Sequence, residues 1–256
     1  MDREKLTEFC VHKENIEKFF GKHNCDLKTL GLECHSITLL VFTNRSGSNL
    51  LGNYLASTSE YFGFEEFLNY DTVITRSKNN KIESFADYFR FLSQSDSGCT
   101  LGIKASINQV KMLDYFGLFE SGVEVRDWIS IKREDILGQA ISWVIAQQTK
   151  QWASFQKNSS NVITYDFNAI HNAIKYFTHQ YELIDNYFKQ IDGRKFQLTY
   201  EELVKSPEAA IGNITHLPAN FKFKQEVIKF KKQANEINDR FRYKYVEDLK
   251  SLGVIS

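Results

Sequence analysis

The chain has 256 residues, and its 32 Lys and Arg balance 32 Asp and Glu, so no net field recruits nucleic acid or an anionic membrane and any anion site must be built locally. The 21 Phe and 12 Tyr exclude a disordered chain, and the length suits one large α/β domain or two small ones with an ample core. The N-terminal stretch MDREKLTEFCVHKENIEKFF is too charged for a signal peptide, and the longest strong apolar run, Ile37 to Phe42, is far shorter than the roughly 20 residues of a bilayer helix; a soluble, cytoplasmic protein without a transmembrane segment is expected.

Residues 1–36 read as a polar helical extension, with Leu6, Phe9, Ile16, Phe19 and Phe20 at about helical spacing and Gly21 and Asn24 marking its end. Cys10, Cys25, Cys34 and Cys99 form no CxxC pair and are expected to be reduced thiols. Cys10 with His12, His23 with Cys25 and Cys34 with His35 are soft ligand types close in sequence, but their spacing fits no familiar zinc pattern, and no metal is expected. Ile37 to Thr43 is a nearly continuous apolar strand of the kind covered on both faces, and a helix follows from Leu50 to Ser57. Residues 61–95 are rich in Phe and Tyr without a clean period; SKNNK, Ser77 to Lys81, reads as a turn or loop and Ser84 to Gln94 as a helix. Cys99 to Ile107 is a second strand, followed by the helical NQVKMLDYFGLF. Asp127 to Lys132 is a third strand, and the next helix has Asp135 as its N-cap and Ile136, Ala140, Ile141 and Val144 on its apolar face. Asp166 to Ile191 is a long amphipathic helix that Gly193 stops. KFQLTYEELVKSPEAAIG reads as a short strand, a helix, and a Ser-Pro that opens another helix, and the tail is basic and largely helical. Strands alternating with helices predict one α/β domain over residues 37–256, a P-loop-like three-layer fold with a mainly parallel central sheet flanked by helices.

The loop Asn44-Arg45-Ser46-Gly47-Ser48-Asn49 links the first strand to its helix. Free N–H groups and the helix dipole at such a junction favour an anion. Gly47 permits a close approach or positive φ, Ser46, Ser48 and Asn49 add side-chain donors, and Arg45 adds a planar charged fork. The alternative is an ordinary strand-to-helix turn with a Ser/Asn cap. Gly-Lys-Ser/Thr is absent, so a monophosphate or diester-like group fits better than a triphosphate with its metal. Arg133 stands just past the third strand, at the sheet edge where open α/β folds bind ligands, and Ser142 could face back toward it. Pairing of Arg133 with Glu134 is the alternative there.

These elements, in this order, resemble the PAPS-dependent sulfotransferases of the Stf0 branch. TNRSGSNLLGNYL resembles the family's loop for the 5′-phosphate of the donor, and GFEEFLN resembles the segment that carries its catalytic glutamate. WISIKREDILGQAISWVIAQQTKQW resembles its strand, arginine and Gln-Ala-Val-Ser helix, and KKQANEINDRF its C-terminal Arg-Gln-Ala-Asn segment. The likeness spans roughly residues 38–250 and leaves 1–36 outside. It implies transfer of a sulfuryl group from PAPS (3′-phosphoadenosine 5′-phosphosulfate), without a metal, to a hydroxyl of a carbohydrate or glycolipid. Under it, Arg45, Ser46, Gly47, Ser48 and Asn49 cradle the 5′-phosphate, Arg133 and Ser142 hold the 3′-phosphate, and Lys232 and Gln233 join the donor site. Glu66 is the base, with Glu65 as the competing assignment; Arg45 stabilises the leaving group. Lys104 contacts the sulfuryl group or is a solvated strand-end lysine. Asn49 stands where the family has threonine and Lys232 where it has arginine. Acceptor specificity is expected in residues 61–95, and a homodimer is implied. Two other readings compete: a kinase-type enzyme on a related P-loop fold, and a non-catalytic binder of a 3′-phosphonucleotide or sulfated glycan.

Overall fold

The computed structural model describes residues 10–32, 36–94, 99–151, 163–216, 222–223 and 236–255. Leu6, Phe9, Cys34, His35, Lys232 and Gln233 lie outside the described residues. The sheet has five strands: β1 (Ser36–Phe42), β2 (Tyr61–Glu65), β3 (Thr100–Ala105), β4 (Glu124–Lys132) and β5 (Arg194–Thr199). They lie in the order β2-β3-β1-β4-β5, and every pairing is parallel. Parallel neighbours need crossover connections, which here cover both faces with helices. That is why β1, in the middle, reads SITLLVF with every residue after Ser36 buried.

Side chains alternate along β1, so one strand serves two cores. Ile37, Leu39 and Val41 join the larger core, while Leu40 and Phe42 point into the smaller one. The larger core is roofed by α1 (Val11–Phe20), α3 (Tyr70–Asn80), α4 (Phe85–Ser93), α5 (Ile107–Tyr115), α6 (Ile136–Thr149), α7 (Phe167–Gln190) and α10 (Glu236–Ser251). The smaller core is closed by α2 (Ser48–Ala56), α8 (Tyr200–Lys205) and α9 (Pro207–Gly212). Among the described residues no helix is long and apolar enough to cross a membrane.

Helix starts follow local chemistry. Ser84, Ser106, Asp135, Asp166 and Thr199 each accept a backbone N–H at the start of the helix they cap, and Pro207 sits in the first turn of α9. Two expectations need correction. Ser77 to Asn80 is not a loop but the last turn of α3: Ser77 is fully buried, the polar side chains around it face solvent, and Lys81 ends the helix in the left-handed conformation. The polar N-terminal extension is also, in its described part, core material. Ile16 is fully buried and Phe20 nearly so, with the Phe20 ring 6.2 Å from that of Phe85.

β2 was not evident in the sequence. Gly63 and Phe64 both have positive φ, at 89° and 58°, and the register with β3 shifts there. Phe64 folds over Gly102, where a Cβ would stand 2.6 Å from its ring. The kink shifts the strand alternation by one, and Glu65 beyond it still pairs with Ile103 before the strand ends. Phe85, fully buried among Phe20, Tyr88, Phe89 and Phe116, joins α1 to α4. Phe85→Ala is expected to cost about 3–5 kcal/mol, read as a lower denaturant midpoint at unchanged slope.

Candidate active site

The parallel sheet brings four chain segments to its C-terminal edge. In the order of the strands these are Glu66 after β2, Lys104 near the end of β3, the loop 43–47 after β1, and Arg133 after β4. The chain runs from β1 to one side of the sheet and later returns to the other, so the loop sits at the crevice where such folds take ligands.

The loop turns sharply. Arg45 has φ 63° and Gly47 φ 93°, and Leu51 N–H donates to Gly47 C=O at 3.1 Å to begin α2. The N-cap of α2 is Gly47, which makes no side-chain cap, and a helix start of this kind favours an anion. The loop is braced from below. Gln139 Nε2 donates to Thr43 Oγ1 at 2.9 Å and to Asn44 C=O at 2.8 Å. The Tyr181 hydroxyl donates to Gln139 Oε1 at 2.8 Å and accepts from the Arg133 N–H at 3.0 Å. One chain of hydrogen bonds thus fixes the loop to the end of β4.

On this flank Arg45 Nε donates to Ser142 Oγ at 2.9 Å. The motif resemblance assigns these two residues to different phosphates; the structure brings them together. Arg133 lies with its guanidinium 5.2 Å from the Tyr200 ring. Glu134 is exposed, and its N–H donates to Glu201 at 3.1 Å. Burial, and then the nearby charge of Arg133, pull the Arg45 guanidinium below its ordinary value, with Tyr200 opposing. Two cations held this close favour an anion between them. Two buried polar atoms here, Ser46 Oγ and Arg133 Nε, have no hydrogen-bond partner among the described residues. Tyr200 packs against the loop so closely that a Cβ on Gly47 would stand 2.4 Å from its Cδ2.

On the other flank, Lys104 is only 2% exposed and is not the solvated lysine that its strand-end position allows. It lies 4.7 Å from the Phe42 ring centroid, and its Nζ donates to Glu66 Oε1 at 3.1 Å and to Asn49 Oδ1. Glu66 Oε2 accepts from Asn69 Nδ2 at 2.9 Å, and Asn69 Oδ1 accepts from Gln109 Nε2 at 2.9 Å. Burial works to raise the Glu66 carboxyl, but the Lys104 charge, the hydrogen bonds from Lys104 and Asn69 and the nearby His12 outweigh it and hold it below the usual range. Burial pulls Lys104 down, partly offset by Glu66. Glu65 points elsewhere: it is 62% exposed and pairs with Arg76 at 2.6 Å. Among the described residues no three His, Cys, Asp or Glu side chains gather as metal ligands.

Residues 114–248, more than half of the chain, match the sequence model of one family, described as Stf0 sulphotransferase. The chain belongs to the Stf0 sulphotransferase family. No curated protein matches it. Among solved structures it is similar to a sulfotransferase domain from the curacin biosynthetic pathway, at 15% identity over 79% of this chain and 82% of that one, with a TM-score of 0.46. Membership makes the chain a transferase that works with a sulfuryl donor. Within the Stf0 match lie Arg133, Gln139, Ser142, Tyr181 and Tyr200; the loop after β1, Glu66 and Lys104 precede it. Gln139, Tyr181 and Tyr200 are the site residues that the sequence did not single out. The only signal for Tyr200 was its place at the strand-to-helix junction LTYEEL.

Proposed function

We propose that this chain transfers the sulfuryl group of PAPS to a hydroxyl of a carbohydrate or glycolipid, with Glu66 as general base. The observation that carries this reading is the placement of Lys104, buried between the Glu66 carboxylate and Asn49 of the anion loop. Lys104 thereby links the candidate base to the loop read as the phosphate cradle, which suits a transfer between groups held at the two.

The residues suit a donor with two separate anionic groups. The first turn of α2 and the buried, unpartnered Ser46 Oγ fit the 5′-phosphate. Arg133, with its unpartnered Nε, and Ser142 fit the 3′-phosphate, and Tyr200 offers an aromatic wall beside them. Arg45, bonded to Ser142, ties the residues read as the 3′-phosphate site to the loop. In the transfer, the acceptor oxygen forms its bond to sulfur as the bond from sulfur to the bridging oxygen breaks. The hydroxyl proton passes to Glu66, and the electron pair of the broken bond stays on the 5′-phosphate, where Arg45 and Lys104 meet the charge. The acceptor class rests on the motif resemblance, as does homodimerisation, which a monomeric mass by light scattering would overturn.

Labelled PAPS incubated with a panel of sugars and glycolipids, followed by mass analysis, tests the reaction. Label on an acceptor is expected. Stabilisation by 3′,5′-ADP with no transfer to any acceptor would mark a non-catalytic binder, and magnesium-dependent ATP turnover would mark a kinase. A second expectation concerns the donor. Arg133→Gln should weaken 3′,5′-ADP binding about 10- to 100-fold, the range for losing charge-assisted hydrogen bonds, and leave 5′-AMP nearly unchanged. Equal weakening of both nucleotides, by calorimetry, removes the 3′-phosphate from Arg133.

A further inference from the structure

Helix α3 starts at Tyr70 with Asn69 as its N-cap, in extended backbone geometry. An asparagine at this position ordinarily turns its side-chain oxygen back onto the first-turn N–H groups. Asn69 does not. Its Nδ2 donates to Glu66 Oε2 and its Oδ1 accepts from Gln109 Nε2, both at 2.9 Å. The N–H of Tyr70, the first of the helix, is met by His12 Nδ1 at 3.1 Å, from α1. The His12 ring is half-buried and lies 5.7 Å from the Tyr70 ring. His12 precedes both the motif resemblance and the family match, which begins at residue 114.

We propose that His12 is a positioning residue of the active site: by accepting the first N–H of α3 it ties the start of that helix to α1, and so fixes Asn69, the residue just before it, whose amide holds the Glu66 carboxylate. The inference rests on the reading of Glu66 as the base. Orphan N–H groups at a helix start attract whatever acceptor is near. Without His12, the Tyr70 N–H and the helix start that carries Asn69 lose this tie to α1. A helix start that shifts carries the Asn69 amide away from Glu66 Oε2, and the carboxylate keeps only Lys104. A base fixed at one oxygen swings, and small errors in the placement of a catalytic group are costly. An accepting Nδ1 also fixes the tautomer, with the imidazole proton on Nε2. Burial lowers the His12 ring below its ordinary value, with Asp71 and Glu66 opposing.

The test compares three full-length variants, with labelled PAPS and the acceptor found in the panel assay. His12→Ala is expected to lower kcat about 10- to 100-fold with KM for PAPS and affinity for 3′,5′-ADP unchanged. His12→Asn, whose Oδ1 can stand near the position of Nδ1, should recover most of the turnover. His12→Gln, with its polar atoms one bond further out, should not. Adding His12→Ala to Glu66→Gln should cost nothing more, because the side chain being positioned has already lost its function. Full turnover in His12→Ala overturns the inference, and so does a loss that His12→Asn fails to recover. An active Glu66→Gln variant overturns the base assignment instead, so the two failures are distinguishable.

Discussion

Glu66→Gln is expected to lower turnover by about 10²- to 10⁴-fold while 3′,5′-ADP binds as before. That range is the usual contribution of a positioned general base, equivalent to about 3–5 kcal/mol of barrier. Glutamine keeps the shape of the side chain, and its oxygen still accepts from Lys104. Its amide nitrogen replaces Oε2, has no lone pair to take a proton, and faces the donor Asn69 Nδ2. Alanine is the poorer choice, because Lys104 is almost fully buried and would lose its carboxylate partner. The pH profile gives a second check. The Glu66 carboxyl is held below the ordinary carboxylate value of about 4.3. Its acid limb in kcat/KM therefore belongs below that value, and this group leaves activity flat toward neutral pH. The stability it contributes has the same sign: present above the unfolded value, and lost as the pH falls through the folded one. An acid limb near 6 in kcat/KM would remove Glu66 from the role.

Gly47→Ala should weaken 3′,5′-ADP binding about 100-fold, by calorimetry, with a loss of about 1–3 kcal/mol in stability. Two faults combine at this position. The backbone has φ 93°, which a side chain strains, and the new Cβ falls 2.4 Å from Tyr200 Cδ2. Tyr200 must retreat, and it is the ring that lies against Arg133 and the first residue of α8. The loop and the Arg133 wall then part, so both anion positions suffer together. Gly31→Ala is the control, since its Cβ meets nothing within 4 Å and its φ is not positive. Equal loss in the two variants would show that Gly47 has no special place in the donor site.

The elements legible in the sequence were those with strong local signals. β1 declares itself through a continuous apolar run, α6 through its cap Asp135, α7 through its long amphipathic pattern, and α9 through Pro207. β2 was hidden because its conformation is set by contact with a different strand: Phe64 lies over Gly102, and nothing in YFGFE announces it. SKNNK misleads because a solvated last helical turn has the composition of a loop. The same division runs through the site. Arg45, Glu66 and Arg133 could be named from their motifs, whereas Gln139 earns its place by bonding Thr43, 96 residues away in sequence. His12 and Tyr70 are 58 residues apart, a pairing that no local pattern encodes. Lys104 shows the limit most plainly: a lysine ending a strand is ordinarily wet, and only the assembled sheet shows that this one is dry.

The bend at Gly63 and Phe64 also bears on how the molecule meets its own copies. β2 is an outermost strand, and a straight outermost strand offers its unpaired backbone as a template for intruding chains. With two consecutive residues at positive φ, β2 cannot hold a second partner in register along its length. The distortion just before the candidate base also blunts this border of the sheet against aggregation.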